Sequence, residues 1–170
     1  MMLDLRVLES LPAHVILREE ADRLDVHVDG ASFLGKVKAE LDIVPGDQFY
    51  YCRGVAVCEA ELACSRCLDP YRVTLRGEVE FSIRETAGEK AADADETAVN
   101  EFLVPLGTAE IDVTGPVREG LILELPLKPL CREECRGLCP VCGVNRNERA
   151  CDCKVEKTDS RWDALRDLLE

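Results

Sequence analysis

The 170-residue sequence predicts an α+β protein in which a β-rich N-terminal body is covered by one helix and followed by a small cysteine-rich segment. Two observations support this prediction. Apolar and polar residues alternate with a period of two through most of the region between residues 24 and 84, a pattern typical of strands with one buried face. Six of the ten cysteines then fall between Cys131 and Cys153, in a stretch too short and too polar to form its own core. We therefore expect a bound metal to order this segment.

The alternation predicts four strands, over residues 24–29, 36–43, 50–62 and 72–84. A Pro45-Gly46-Asp47 turn separates the second from the third. The last two flank a C-x-x-C pair, Cys64 and Cys67, which places this pair at the tip of a β-hairpin. Cys52 and Cys58 share one parity on the third strand, so we expect them to be small buried residues without a chemical role.

The second half of the chain predicts fewer regular elements. Residues 85–101 are acidic and lack an apolar period, which is typical of a loop. A short strand follows over 101–106, and then a helix over about 113–125, with Asp112 or Thr114 as its cap and Pro116 in its first turn. A second short helix is predicted over 159–170. The predicted organisation is a body over 1–126, a cysteine-rich segment over 127–158 and the terminal helix.

The spacing of the cysteines indicates thiolate metal sites. In Cys139-Pro-Val-Cys142-Gly143, two residues between the cysteines let both sulfurs face one tetrahedral ion, and the glycine lets the backbone turn back. The spacing predicts two four-sulfur zinc sites. The first comprises Cys64, Cys67, Cys131 and Cys135, and the second comprises Cys139, Cys142, Cys151 and Cys153.

Two alternatives to the pair of zinc sites remain open on spacing alone. Cys151 and Cys153 are closer together than usual zinc ligands, so a single zinc on Cys139, Cys142 and two other C-terminal cysteines is one alternative. It leaves Cys64 and Cys67 as a free dithiol. The other alternative is that neither site forms.

Composition and motifs argue against catalysis. A catalytic zinc keeps an open position and favours histidine or carboxylate ligands, whereas His14 and His27 lie far from the cysteines in sequence. P-loop, dinucleotide-binding and G-x-S-x-G motifs are absent from the sequence. The start of the chain lacks the pattern of a secretory signal, and ten cysteines in a reducing compartment are typical of metal ligands, so we expect a cytoplasmic protein.

The charge of the chain predicts the chemistry of its partners. Its 34 acidic and 21 basic residues give a net charge of −13, which repels nucleic acid over most of the surface. Residues 128–154 carry six basic and four acidic side chains, an excess that one four-thiolate zinc cancels. A plain zinc-ribbon binder of nucleic acid is therefore disfavoured.

Several motifs together resemble the YceD family, the large ribosomal RNA subunit accumulation proteins of bacteria and plastids. They are Cys64-Ser-Arg-Cys67-Leu68-Asp69, Leu125-Pro-Leu-Lys-Pro-Leu-Cys131, Gly137-Leu-Cys-Pro-Val-Cys-Gly143 with Asn147, Cys151-x-Cys153 and Asp159-Ser-Arg161. The resemblance covers residues 64–162. It implies a non-enzymatic cytoplasmic protein with a role in the assembly of the large ribosomal subunit.

The expected function is accordingly a non-enzymatic factor for large ribosomal subunit biogenesis that acts by binding and carries structural zinc. The expected partners are precursors of that subunit, with basic ribosomal proteins as candidate contacts and direct RNA contact left open. Candidate partner-binding residues in the cysteine-rich segment are Arg132, Arg136, Arg146 and Arg149. The alternative function is a thiol-redox or zinc-responsive regulator that uses Cys64 and Cys67, with Arg66 and Arg72 favouring the thiolate.

Overall fold

The computed structural model describes residues 1–86 and 101–154, and it confirms the α+β class in that part of the chain. Most of the predicted acidic loop and all of the predicted helix over 159–170 lie outside the described residues. The division of the chain at residues 126 and 158 stays a prediction. The strands are β1 (Met2–Asp4), β2 (Ala13–Glu20), β3 (Ala31–Pro45), β4 (Tyr50–Ala63), β5 (Pro70–Thr86), β6 (Glu101–Pro105) and β7 (Glu110–Asp112), and the helix is α1 (Thr114–Leu123).

A five-stranded sheet forms the centre of the body, with the strand order β2-β3-β4-β5-β6. Strands β2 to β5 pair antiparallel, and β6 pairs parallel with β5. Strands β1 and β7 form a separate two-stranded sheet. No helix in the described ranges is long and apolar enough to cross a membrane.

The buried face of the sheet follows the predicted alternation. Along β4 the even positions from Cys52 to Leu62 point to the core or are partly buried, and along β5 the odd positions from Leu75 to Ile83 are buried. Cys52 and Cys58 are fully buried, as expected, and burial raises the pKa of the Cys52 thiol to about 12. Both therefore act as small apolar residues.

The predicted strand over residues 24–29 is wrong. The structure has a 3₁₀ turn over Ala21–Leu24, and Asp25 adopts a left-handed backbone conformation with φ of 51°. A strand cannot continue through that conformation, which aspartate tolerates better than most residues. Val28 then forms one isolated bridge with Ala31. The apolar pattern reflects burial without a strand, since Leu24 is buried within the turn and Val26 packs against the core.

Helix α1 lies close to its predicted position and covers the sheet through Val117 and Leu121, both fully buried. The Asp112 carboxylate accepts a hydrogen bond of 2.9 Å from the Thr114 amide at the start of the helix. The helix and β5 approach each other closely at two facing glycines. A Cβ added at Gly77 would lie 2.3 Å from the Gly120 carbonyl oxygen, and one added at Gly120 would lie 2.2 Å from that of Glu78.

We predict that Gly120→Ala destabilises the protein by about 1–3 kcal/mol, because the added methyl group overpacks the contact with β5. This effect opposes the gain of about 1 kcal/mol that alanine brings to a helix interior. Gly115→Ala in the same helix is the matched control, since its Cβ would meet nothing within 4 Å. Denaturant unfolding measures both. Equal stability of the Gly120→Ala and Gly115→Ala proteins would contradict the close approach.

Candidate metal centre

The first C-x-x-C pair lies at the tip of the hairpin formed by β4 and β5, as the sequence predicts. The backbone of the tip closes on itself. The Leu68 amide donates to the Cys64 carbonyl oxygen at 2.9 Å, and the Cys64 amide donates to that of Asp69 at 3.0 Å. The side chains of Cys64 and Cys67 are 0% and 3% exposed, so this turn holds both sulfurs inside the protein.

A second pair of cysteines from the C-terminal segment meets this tip. The Sγ atoms of Cys64 and Cys135 lie 3.8 Å apart, as do those of Cys67 and Cys131. All four sulfurs lie within 4.8 Å of one another, and this group can hold a metal ion. The Ser65 amide donates to the Pro129 carbonyl oxygen at 2.8 Å, which aligns the incoming segment with the tip.

Hydrogen bonds favour the thiolate at two of the four sulfurs, Cys64 and Cys135, whereas the pKa values of Cys67 and Cys131 are raised by burial and by sharing protons with those two sulfurs. Burial alone would raise the pKa of the Cys64 thiol, but the backbone amides of Cys131, Cys67 and Arg66 donate to its sulfur and hold the pKa at about 6. Burial likewise opposes ionisation of Cys135, yet the hydrogen bond from the Asn147 side chain helps to hold its pKa below the ordinary value. A thiolate is the form that binds metal.

The second group contains the other four predicted ligands. The sulfurs of Cys139, Cys142, Cys151 and Cys153 also lie within 4.8 Å of one another. In the Cys139 to Gly143 turn, the Gly143 amide donates to the Cys139 carbonyl oxygen at 2.8 Å, with Gly143 at φ of 72°. The backbone amides of Cys142 and Val141 lower the pKa of Cys139 to about 6. Although only one residue separates Cys151 from Cys153, the four sulfurs of this group still lie close enough to share one metal ion.

The two sulfur groups share a hydrogen-bonded junction. The Leu138 amide donates to the Arg66 carbonyl oxygen at 3.0 Å, where a Cβ on Gly137 would lie 2.8 Å from the same oxygen. The Asn145 side chain donates to the Asp69 carboxylate at 2.6 Å. We call residues 64–69 and 129–153, taken together, the cysteine module.

Asn147 links the first sulfur group to the stretch between Cys142 and Cys151 of the second group. Its Nδ2 donates to the Cys135 sulfur at 3.3 Å and to Asn145 Oδ1 at 2.9 Å, while its Oδ1 accepts from the Arg136 amide at 2.8 Å. The sequence motif contains Asn147, but its role requires the three-dimensional arrangement. The N-x-N spacing beside a knuckle is the sequence signal that marks it.

The arginines of the cysteine module divide into two kinds. Arg66 Nη1 donates to the carbonyl oxygens of Glu133 and Cys135 at 2.9 and 2.8 Å. This side chain is therefore bound to the backbone of the C-terminal segment. Arg132, Arg136, Arg146 and Arg149 are exposed, and within the described residues none of their guanidinium groups forms a salt bridge. We call these four the module arginines.

We predict that Asn147→Ala loosens the cysteine module, because three hydrogen bonds at the junction are lost. A net loss of about 1–2 kcal/mol corresponds to about 5- to 30-fold more frequent local opening. Trypsin cleavage after Arg132 and Arg136 in the native protein measures this opening. Arg146→Ala is the matched control, because it changes an exposed neighbour and leaves the junction bonds intact. Equal cleavage rates at these two sites in both variants would contradict the role of Asn147.

Comparison with known proteins places this arrangement in a family. The chain is 34% identical over 106 residues to an uncharacterized protein of Mycobacterium tuberculosis, covering 62% of this chain and 49% of that one. It is 36% identical over 87 residues to the large ribosomal RNA subunit accumulation protein YceD of Haemophilus influenzae, covering 48% and 45%. A chloroplastic YCED homolog 1 of Arabidopsis thaliana is 36% identical over 66 residues, covering 39% and 21%.

The chain thus spans about half the length, or less, of these relatives, and no solved structure matches it. The sequence profile described as large ribosomal RNA subunit accumulation protein YceD matches residues 52–169, a range that begins on β4 and includes both groups of cysteines. The chain belongs to the YceD family.

Proposed function

We propose that this protein is a non-enzymatic factor for biogenesis of the large ribosomal subunit, which acts by binding and is ordered by two structural zinc ions. Two findings support the proposal. The family's description links its members to accumulation of large-subunit ribosomal RNA. The single structural observation that carries the mode of action is the convergence of eight thiols in two groups at one end of the hairpin.

The donor set fits zinc. In a tetrahedral four-thiolate site with Zn–S distances of about 2.3 Å, neighbouring sulfurs lie about 3.8 Å apart. The pairs Cys64–Cys135 and Cys67–Cys131 are opposite edges of such a tetrahedron, and each has that length. Each group supplies four soft sulfur ligands, which is the composition of closed structural zinc sites.

The ligand set also supports a structural rather than a catalytic metal. Four thiolates fill the tetrahedral positions, so no site remains for an activated water. Asn147 and the backbone amides donate to the sulfurs in the manner of outer-shell partners that orient ligands. A dithiol that responds to redox reagents needs access to solvent, and the burial of Cys64 and Cys67 argues against that alternative.

Metal binding gives the cysteine module a fixed shape. Cys64 and Cys135 are 71 residues apart in sequence, and Cys67 and Cys131 are 64 residues apart. An ion bound by both pairs joins a polar segment to a rigid hairpin. The apparent binding free energy of a structural zinc ion, about 10–16 kcal/mol, exceeds the stabilisation that the small buried surface of this segment provides. The module arginines are then displayed from a rigid support and not from a flexible chain.

Charge indicates the kind of partner. The net charge of −13, together with about −2 for each four-thiolate zinc, disfavours a large interface with bare RNA. Precursors of the large subunit present both phosphates and basic proteins, so the module arginines can contact phosphate while acidic surfaces contact protein. We place this activity in the cytoplasm, where thiols stay reduced.

We predict that the protein sediments with precursors of the large subunit in a cell extract. Replacing all four module arginines by glutamine should reduce this association at least about fivefold, since local phosphate contacts are lost. The matched control replaces four exposed arginines on the body, namely Arg18, Arg23, Arg53 and Arg76, for the same change in charge. Absence of the intact chain from every ribosomal fraction would contradict the proposed function. An equal loss of association in both variants would show that the module arginines are not a specific part of the interface.

A further inference from the structure

The two C-x-x-C turns of this chain differ at one position that has the same backbone conformation in both. The residue after the second cysteine is Gly143 in one turn and Leu68 in the other, and their φ angles are 72° and 64°. Both turns therefore require a left-handed residue there. Glycine adopts that conformation without steric cost, whereas leucine brings its Cβ too close to the neighbouring carbonyl oxygen.

Packing does not compensate for the strain at Leu68. Its side chain is 65% exposed and is not among the residues packed on the sulfur cluster, where Tyr71 and Leu130 lie. A strained residue that contributes little to the core indicates selection for another property. An exposed apolar side chain at a fixed position is typical of an anchor for a partner.

A second exposed leucine lies close in sequence to a backbone contact of the hairpin tip. The hydrogen bond between the Ser65 amide and the Pro129 carbonyl oxygen joins the hairpin tip to the incoming segment. Leu68 lies three residues after Ser65, and Leu127, which is fully exposed, lies two residues before Pro129. Two solvent-facing leucines, Leu68 in the cysteine module and Leu127 just before it, thus lie within three residues of one backbone contact that zinc binding at the first sulfur group would fix.

We propose that Leu68, together with Leu127, is an apolar anchor for a basic protein of the large ribosomal subunit. This inference rests on the proposed function and names the partner class of that same module. Charge complementarity favours a basic polypeptide over RNA, because the chain carries −13 and the thiolate sites would add further negative charge around the leucines. Within the cysteine module five arginines are balanced by five acidic side chains, so the negative charge of the two thiolate sites would not be neutralised there.

The test compares Leu68→Gly with the intact chain in binding to basic proteins extracted from purified large ribosomal subunits and freed of RNA. We expect Leu68→Gly to retain at least about fivefold less of these proteins, as for a central anchor residue. Because the strain is relieved, its Tm should rise by about 2–4 °C, with unchanged metal content. Leu68→Asn, which also suits the left-handed conformation but is polar, should lose binding to the same extent.

The matched control is Leu106→Gly, which removes a leucine of similar exposure, 64%, between β6 and β7. It should bind like the intact chain. The inference is overturned if the intact chain retains none of the extracted proteins, if both Leu68 variants bind as well as it does, or if the Tm falls. It is also overturned if the Leu68 variants lose binding to bare ribosomal RNA instead, or if they change the oligomeric state.

The proposed function and this inference fail in different ways. Sedimentation of the intact chain with precursors tests the function whether or not Leu68 takes part. If the intact chain sediments with precursors but the purified basic proteins do not bind it, the inference alone is overturned. If the purified proteins bind through Leu68 but no precursor carries the protein in the cell, the proposed function alone fails.

Discussion

The contact between the sulfurs of Cys64 and Cys67 and those of Cys131 and Cys135 is the interaction on which the C-terminal part of the described chain depends. The body has a conventional apolar core between the sheet and α1, and that core does not extend into the cysteine module. The cluster around these sulfurs includes only two partly buried apolar neighbours among the described residues, Tyr71 and Leu130. Burial of so little apolar surface cannot order the segment that follows. The sulfur cluster must therefore order that segment.

The second sulfur group builds on the first. The turn from Cys139 to Gly143 is formed locally, but its position depends on Asn145, Asn147 and the Leu138 amide, all of which bond to the hairpin tip or to the first group. Glycine at position 137 permits this approach to the Arg66 carbonyl oxygen. The cysteine module is therefore one structural unit with two proposed metal ions, and not two independent metal sites joined by a flexible linker.

Much of this arrangement follows from local sequence pattern. The alternation along β4 and β5 predicts the hairpin, and the hairpin places Cys64 and Cys67 at its tip. Long-range features do not follow from local patterns. The parallel pairing of β6 with β5 and the facing of Gly77 and Gly120 depend on how separate elements meet in space.

Single-residue conformations explain the remaining differences between sequence and structure. The alternation over residues 24–29 predicts a strand, yet the left-handed Asp25 ends any extended run there. Arg66 suggests an activator of thiolates by its position beside Cys67, whereas its guanidinium group is occupied by two carbonyl oxygens from the other side of the junction. At Asp25 the backbone conformation, and at Arg66 two backbone acceptors, decide the outcome against the local sequence pattern.

The metal content of the intact chain and of Cys64→Ser, measured by native mass spectrometry, tests the central claim most directly. We expect two zinc ions in the intact chain and one in Cys64→Ser, because the first tetrahedral site loses a ligand while the second keeps its four. Ser65→Ala, the adjacent control, should keep both. One zinc ion in the intact chain and one in Cys64→Ser would contradict a metal that joins the hairpin tip to the C-terminal segment.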